Sequence, residues 1–249
     1  MNYVRRIMIY LVSLHRIMAN DYFKFRQFCI RQEKCAMKVG TDGTLLGAWG
    51  QLPETLPPNG HRRILDVGTG TGLVALMMAQ RYADARVVGI DIDEEAVEQA
   101  SANVGESPFA HRVTIQKADI RDWKSQEYEA IVCNPPFFVN ALQCPDAQRS
   151  MARHAVTLDY ATLARCARSL LSDEGELSVV VPTECRSEME SEACIQGFFK
   201  VRQCAVKTTP YKSPKRFLLA FARHSRSLED ETIVIGDEKY SLLTKEFYL

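Results

Sequence analysis

The sequence predicts an α/β fold, a mostly parallel sheet with helices on both faces that ends in a C-terminal antiparallel hairpin. Three observations carry this. From residue 64 onward, short apolar runs alternate with amphipathic helical stretches, the pattern of strands joined by crossover helices. The first of these runs leads straight into Gly68-Thr69-Gly70-Thr71-Gly72, a turn in which bare backbone can approach a nucleotide-like ligand. Two late strands are separated only by a proline-punctuated link, Pro210-Tyr211-Lys212-Ser213-Pro214, which cannot hold a crossover helix.

The elements follow in order. Residues 64–67 read as a strand, Leu73, Leu76, Met77 and Gln80-Arg81 continue a helix, and residues 87–91 form the next strand, ending on the carboxylate of Asp91. Asp93 is placed to cap a helix over 94–104, whose first turn carries Glu94 and Glu95, favourable at the positive end of the backbone dipole. A third strand spans 113–116 with Asp119 just beyond it, and a fourth spans 130–133 and delivers Asn134. A helix over 157–171 passes through Asp173-Glu174-Gly175 into a strand over 177–181 that Pro182 stops. Residues 184–196 read as helix, and residues 201–206 and 217–221 as the hairpin strands. In open sheets of this kind ligands bind beyond the carboxyl ends of the strands, where Gly68, Asp91, Asp119 and Asn134 all fall.

The 249 residues, 46% hydrophobic, suffice for one well-packed domain. The expected division is a non-native or flexible extension over 1–20, an N-terminal cap over 21–60 and the main domain over 61–249. Arg5-Arg6 and the apolar run after them resemble a secretory signal, but His15 and Arg16 interrupt it, no small-residue cleavage site follows, and the run is too short to span a bilayer. Met18-Ala19-Asn20-Asp21 is a more typical start, so residues 1–17 are expected to be an upstream mis-assigned extension, an expectation that native peptides from this stretch would refute. The eight cysteines include no Cys-x-x-Cys pair and no zinc-like spacing, so reduced thiols, no metal and a reducing cytoplasm are expected.

Lys plus Arg equals Asp plus Glu at 31 each, but the charge is unevenly spread. Residues 1–63 carry ten basic and four acidic groups, and residues 64–130 carry six and twelve. Residues 131–226 carry thirteen and nine, and residues 227–249 two and six. This is either a set of ordinary solvated faces or a basic rim around an active-site mouth. Arg149, Arg153 and His154, and Lys207, Lys212, Lys215 and Arg216, are the candidate phosphate contacts.

The glycine turn has Leu73 where a dinucleotide fingerprint has its third glycine, which weakens a nicotinamide-cofactor assignment. Asp91 lies nineteen residues beyond Gly72, the spacing at which a carboxylate accepts from ribose hydroxyls. Asp119 could accept from an adenine amino group while Ile120 covers the ring, or it could be an ordinary turn residue. Asn134-Pro135-Pro136-Phe137 is more specific. The prolines fix the backbone and bring no N–H, so the Asn134 side-chain oxygen and the Pro135 carbonyl can grip one planar amino group. Such an amine has its lone pair delocalised into its ring, and two acceptors favour a pyramidal nitrogen whose lone pair points at an electrophilic methyl. Phe137 would stack on the ring and Phe138 wall the pocket. The implied methyl donor is S-adenosylmethionine, which needs chiefly to be positioned.

Here the chain resembles the class I S-adenosylmethionine-dependent methyltransferases, specifically the bacterial tRNA (adenine-N6)-methyltransferase family acting beside the anticodon of a valine tRNA. Beyond the two motifs, the resemblance rests on Cys35-Ala36-Met37-Lys38-Val39-Gly40-Thr41-Asp42-Gly43 and Leu45-Leu46-Gly47-Ala48-Trp49. Further on it rests on Ala152-Arg153, Thr157-Leu158-Asp159, Arg216-Phe217-Leu218-Leu219-Ala220-Phe221 and Phe247-Tyr248-Leu249. It implies a seven-stranded Rossmann-like sheet and methylation of the adenine N6 immediately 3′ of the anticodon, position 37. It also implies that Lys38, Thr41 and Asp42 close over the methionine end of the cofactor. Asp66, Gly68 and Gly70 would lie below, Asp91 and Ile92 at ribose, Asp119 and Ile120 at adenine, and Asn134 between cofactor and substrate. From the residues alone, Thr41 or Asp42 could instead simply cap a helix. Phe137 stands where the family can have tyrosine, removing a hydroxyl and keeping the stacking surface. The competing functions are guanine-N2 methylation of ribosomal RNA, glutamine-N5 methylation of a protein, and a non-catalytic RNA-binding module. A monomer is the default expectation.

Overall fold

The structure, a computed structural model, describes residues 21–33, 38–54, 60–125, 127–135 and 158–249. Strands β1 (Tyr22–Lys24) and β2 (Cys29–Arg31) pair antiparallel as a small hairpin. Helix α1 (Thr41–Trp49), β3 (Arg63–Val67), α2 (Leu73–Arg81), β4 (Arg86–Asp91), α3 (Glu94–Gly105), β5 (Val113–Lys117) and β6 (Tyr128–Cys133) follow. Then come α4 (Tyr160–Leu170), β7 (Leu171–Pro182), α5 (Arg186–Ile195), β8 (Phe199–Lys207), β9 (Arg216–Ala222), β10 (Glu229–Val234) and α6 (Glu238–Thr244).

The large sheet has the order β10-β8-β9-β7-β6-β3-β4-β5. Strand β9 runs antiparallel to both neighbours and every other pairing is parallel. The order reverses at β3, flanked by β4 and β6, and that switch point opens the crevice that a ligand can enter. Strand β6 is buried at all six positions, as a central strand covered by helices on both faces must be. Alternate residues divide between two cores. Ile64, Ala130 and Val132 face the helices α1 and α2, whereas Leu65, Val67, Ile131 and Cys133 face α4 and α5.

Local chemistry sets the helix starts. The Asp93 carboxylate accepts from the Glu95 N–H at 3.0 Å, Asp159 from Thr162 at 2.6 Å and Asp237 from Tyr240 at 2.6 Å, each satisfying an orphan donor of a first turn. Helix α4 buries Tyr160, Leu163, Ala164, Ala167 and Leu170 along one face.

The anticipated hairpin is present as β8 and β9. Three elements differ from the sequence expectation. Asp173-Glu174-Gly175, read as a turn, lies inside the twelve-residue β7, which follows α4 directly. The register jumps there, Tyr128 facing Leu171 and Ala130 facing Glu176, so the acidic pair is accommodated as an irregularity within the strand. Gly175 permits it, because a Cβ at that position would stand 2.9 Å from the Tyr128 carbonyl oxygen. The expected helix over 184–196 begins as a 3-10 turn, Thr183–Cys185, before α5. Among the described residues the sheet has eight strands rather than seven. Strand β10 adds to its edge, and α6 follows it.

Helix α1 buries seven of its nine residues and shares a core with the sheet. Gly47 allows close approach to α2, since a Cβ there would meet Met77 at 2.8 Å. Beneath its end, Arg202 is paired with Glu176 at 2.5 Å, lies 3.9 Å from the centre of the Trp49 ring, and is 2% exposed. Arg226 reaches the same Glu176 carboxylate at 2.6 Å. The β1–β2 hairpin docks on the other end of the chain: the Arg26 N–H donates to the Phe247 carbonyl at 2.8 Å, and Phe25 stacks on Tyr248. No helix among the described residues is long and apolar enough to cross a membrane.

Candidate active site at the carboxyl edge of the sheet

Val67 at the end of β3 pairs in register with Cys133 at the end of β6. Gly68 and Asn134 are therefore the first residues past two neighbouring strands, which lie about 5 Å apart. Gly68, Gly70 and Gly72 have φ values of 68°, 54° and 80°, so all three use the left-handed region that favours glycine. The loop is fastened from two sides. The Gly68 and Thr69 N–H groups donate to the Ile90 carbonyl at 2.9 and 3.0 Å, and the Gly70 N–H donates to Asp91 Oδ2 at 2.9 Å. The glycines differ in what surrounds them. A Cβ on Gly72 would touch Ala100 at 3.3 Å, whereas one on Gly68 would meet nothing within 4 Å. Gly72 thus serves helix packing and Gly68 borders open space.

Asp66 lies beneath this loop and is 1% exposed. Its Oδ2 accepts from Thr69 Oγ1 at 2.7 Å and from the Ala75 N–H at 3.0 Å, tying the turn to the start of α2. Burial pushes its carboxyl up to about 7, against the opposing pull of those two hydrogen bonds. Cys133 sits close by, and burial together with the Asp66 and Asp91 carboxylates holds its thiol well above the usual range. Asp91 also accepts from the Asp93 N–H at 3.0 Å, and Ile92 beside it is 46% exposed, an apolar face next to a half-buried carboxylate.

Asp119 stands past β5 and accepts from Arg121 Nε at 2.9 Å, a bond that holds its carboxyl below the ordinary range. Ile120 is buried among Leu65, Val67 and Ile90. Asn134 is half-buried with its amide oxygen shielded from solvent, and Pro135 is buried. Pro136, Phe137, Phe138, Arg149, Arg153 and His154 lie outside the described residues, as do Cys35, Ala36 and Met37.

The first turn of α1 approaches Asn134, since a Cβ on Gly43 would lie 4.0 Å from Asn134 Nδ2. Capping does not explain Thr41 and Asp42: the residue before the helix is Gly40, with no side-chain cap. Asp42 instead receives Arg216 Nε at 2.8 Å, so Arg216, a candidate phosphate contact, is the partner of a candidate cofactor residue. Lys38 is exposed, and the Val39 N–H donates to Gln32 Oε1 at 2.8 Å, which anchors the approach to α1. The structure thus brings together Asp42, Asp66, Gly68, Gly70, Asp91 and Asn134 around one edge.

Sequence reasoning missed Asn103. Its side chain accepts from the Arg31 N–H and donates to the carbonyls of Arg31 and Thr71, all at 2.9 Å, joining the N-terminal hairpin to the glycine loop. The signal was there: Ala96, Gln99, Ala100 and Asn103 form the buried stripe of α3, and a polar residue on such a stripe demands partners. Among the described residues, the group of potential metal ligands Asp173, Glu174 and His224 is exposed and lies where β7 begins and just past the end of β9, at the sheet edge away from Asn134.

Residues 50–213 match the family described as methyltransferase small domain. A relative in Bacteroides thetaiotaomicron is 43% identical over 93% of this chain and 99% of its own length, and one in Tolumonas auensis is 39% identical over 93% and 98%. Both are named tRNA1(Val) (adenine(37)-N6)-methyltransferase. Among solved structures, a predicted O-methyltransferase from Agrobacterium tumefaciens superposes with a TM-score of 0.63 at 18% identity, covering 83% of this chain and 96% of that one. The glycopeptide N-methyltransferase MtfA, solved with S-adenosylmethionine, gives 0.53 at 11% identity over 75% and 89%. These two structural likenesses establish the fold.

Proposed function

The chain belongs to the methyltransferase small domain family, and on that premise we propose that it is an S-adenosylmethionine-dependent tRNA methyltransferase. Its target is the exocyclic N6 of adenosine 37, immediately 3′ of the anticodon of a valine tRNA, in the cytoplasm. The observation that carries this is the in-register end of β3 and β6, which makes Gly68 and Asn134 neighbours: one borders the open space, the other presents a shielded amide oxygen. The names of full-length relatives at about 40% identity supply the substrate.

The residues present fit the cofactor. The open space at Gly68, the Asp91 carboxylate at the end of β4 and the exposed face of Ile92 suit an adenosine, and Asp119 could take its amino group with Ile120 beneath. Lys38, Thr41 and Asp42, on the segment that approaches Asn134, would cover the methionine end. When bound, the cofactor supplies a methyl group already activated by a positive sulfur.

The chain's own work is positioning. Asn134 Oδ1 and the Pro135 carbonyl accept the two hydrogens of the adenine amine, which turns its lone pair out of ring conjugation and toward the glycine loop. Phe137, next in the sequence, is the residue assigned to stack on the base. The nitrogen carries an extra proton after transfer and can release it to solvent, so no general base is required.

Nucleoside mass spectrometry of valine tRNA from cells with and without the protein tests the function. N6-methyladenosine should be present and then absent, and a loss of N2-methylguanosine from ribosomal RNA instead would select the guanine reading. Asn134→Ala should keep cofactor binding and lose at least ~100-fold in turnover, because the lost contact acts along the reaction coordinate. Unchanged turnover would remove Asn134 from the mechanism.

A further inference from the structure

We propose that the link between β8 and β9, residues 208–215, is an RNA-docking finger. In it, Tyr211 stacks on an unpaired base beside the target nucleotide, and Lys207, Lys212 and Lys215 meet the flanking phosphates. This rests on the reading of the protein as a tRNA methyltransferase and adds a surface and a contact residue to it.

The finger stands on the same edge as the site. Cys133 faces Val179 across β6 and β7, Pro182 faces Arg216 across β7 and β9, and Arg216 faces Val206 across β9 and β8. Asn134 is thus level with Val180, and two further residues along β7, with two or three strands across the sheet, place the finger's root roughly 7 Å beyond and 10–14 Å beside Asn134. Two placements bridge that gap: a Cβ on Gly43 would reach within 4.0 Å of Asn134 Nδ2, and the neighbouring Asp42 is paired with Arg216 at 2.8 Å. The finger therefore starts where the segment covering the candidate cofactor site is pinned.

Its root is held and its tip is presented. Thr183 Oγ1 donates to the Pro214 carbonyl at 2.6 Å, the Thr183 N–H to the Lys215 carbonyl at 3.2 Å and the Lys215 N–H to the Val206 carbonyl at 2.9 Å. A turn closes at the tip, where the Lys212 N–H meets the Thr209 carbonyl at 3.3 Å and Lys207 Nζ meets the Pro210 carbonyl at 3.5 Å. Pro210 and Pro214 stiffen it further. Tyr211 is 99% exposed, with 79% the next highest among the described large hydrophobic residues, at Leu249. A ring held fully in water on a braced turn is free to stack on a partner.

The charge around it identifies the partner. Lys207, Lys212 and Lys215 lie within nine residues, Arg216 beside them is spoken for by Asp42, and no acidic residue occurs between Glu192 and Glu229 in the sequence. An aromatic face among cations suits an unpaired nucleic-acid strand, whose bases stack and whose backbone is anionic. The loop of an anticodon arm offers such bases next to the one to be methylated.

The test uses the full chain, a fluorescently labelled RNA hairpin with the anticodon-arm loop of the methylated tRNA, and Tyr211→Ala, Tyr211→Phe and Tyr211→Trp variants. Dissociation constants are read by anisotropy and methylation kinetics separately. Tyr211→Ala should weaken hairpin binding and raise KM by roughly tenfold, the loss expected for one base–aromatic stack, with kcat and S-adenosylmethionine affinity unchanged. Phe and Trp should restore binding, and ultraviolet crosslinking should recover RNA on the peptide that contains Tyr211. If the hairpin binds the alanine variant as tightly as the wild type, or crosslinks only elsewhere, the finger is overturned while the methyltransferase reading stands. If the wild type binds the hairpin through Tyr211 without methylating it, the finger stands and the proposed function falls. A wild type that binds no RNA overturns both.

Discussion

Gly68→Ala separates what the backbone needs from what the ligand needs. The residue has φ +68°, and a Cβ built on it meets nothing within 4 Å, so the folded chain opposes the change only through its backbone. A left-handed non-glycine residue costs about 1–2 kcal/mol, equivalent to a fall of roughly 2–8 °C in Tm for a chain of this size. The new methyl group would project into the open space where the cofactor is proposed to lie, and a tenfold loss of affinity is the minimum expected. With cofactor at about 100 times the wild-type Kd, ligand binding stabilises the wild type by about 2.7 kcal/mol and such a variant by only about 1.4 kcal/mol. Thermal unfolding with and without S-adenosylmethionine, backed by titration calorimetry, measures both quantities. Equal ligand-induced stabilisation of the two proteins would show that the space beside Gly68 is not the cofactor's.

Two further outcomes follow from buried charge. Burial raises the Asp66 carboxyl from its ordinary value to about 7, so the folded state holds a proton that the unfolded chain releases near pH 4. This group's contribution should therefore be greatest below pH 4, decline as pH rises toward 7 and level off above; urea unfolding across that range should show the slope, and Asp66→Asn should flatten it. Glu176→Leu leaves Arg202 buried beneath Trp49 without its carboxylate and should cost about 3–5 kcal/mol in the same assay, whereas adding Arg202→Met should recover most of the loss. A single variant as stable as the wild type would show that the ion pair is dispensable.

The parts of the fold legible in the sequence are those where each residue's local preference agrees with its environment. Ile64, Leu65, Val67 and residues 130–133 are apolar because both faces of the sheet are covered, and the glycines after the first run mark a turn that needs positive φ. Strand β10 was hidden for the converse reason. Glu229, Asp230 and Glu231 are exposed on the sheet edge and Ile233 is its buried residue, so no alternation announces it. Asp173-Glu174-Gly175 carries turn chemistry, but it is absorbed by a register jump that only the partner strand defines. At the candidate site, the placement of Asp91 at the end of one strand and of Asn134 just past another is legible in the sequence. The Asp42–Arg216 pair joins positions 174 residues apart, and no local pattern reports such a partnership.

The docking of Phe25 and Arg26 onto Phe247 and Tyr248 ties together segments more than 200 residues apart. The same hairpin grips the Asn103 side chain through both the N–H and the carbonyl of Arg31, and Asn103 in turn holds the Thr71 carbonyl. A disturbance at residues 247–248 therefore has a short mechanical route to the glycine loop, through one hairpin and one amide side chain.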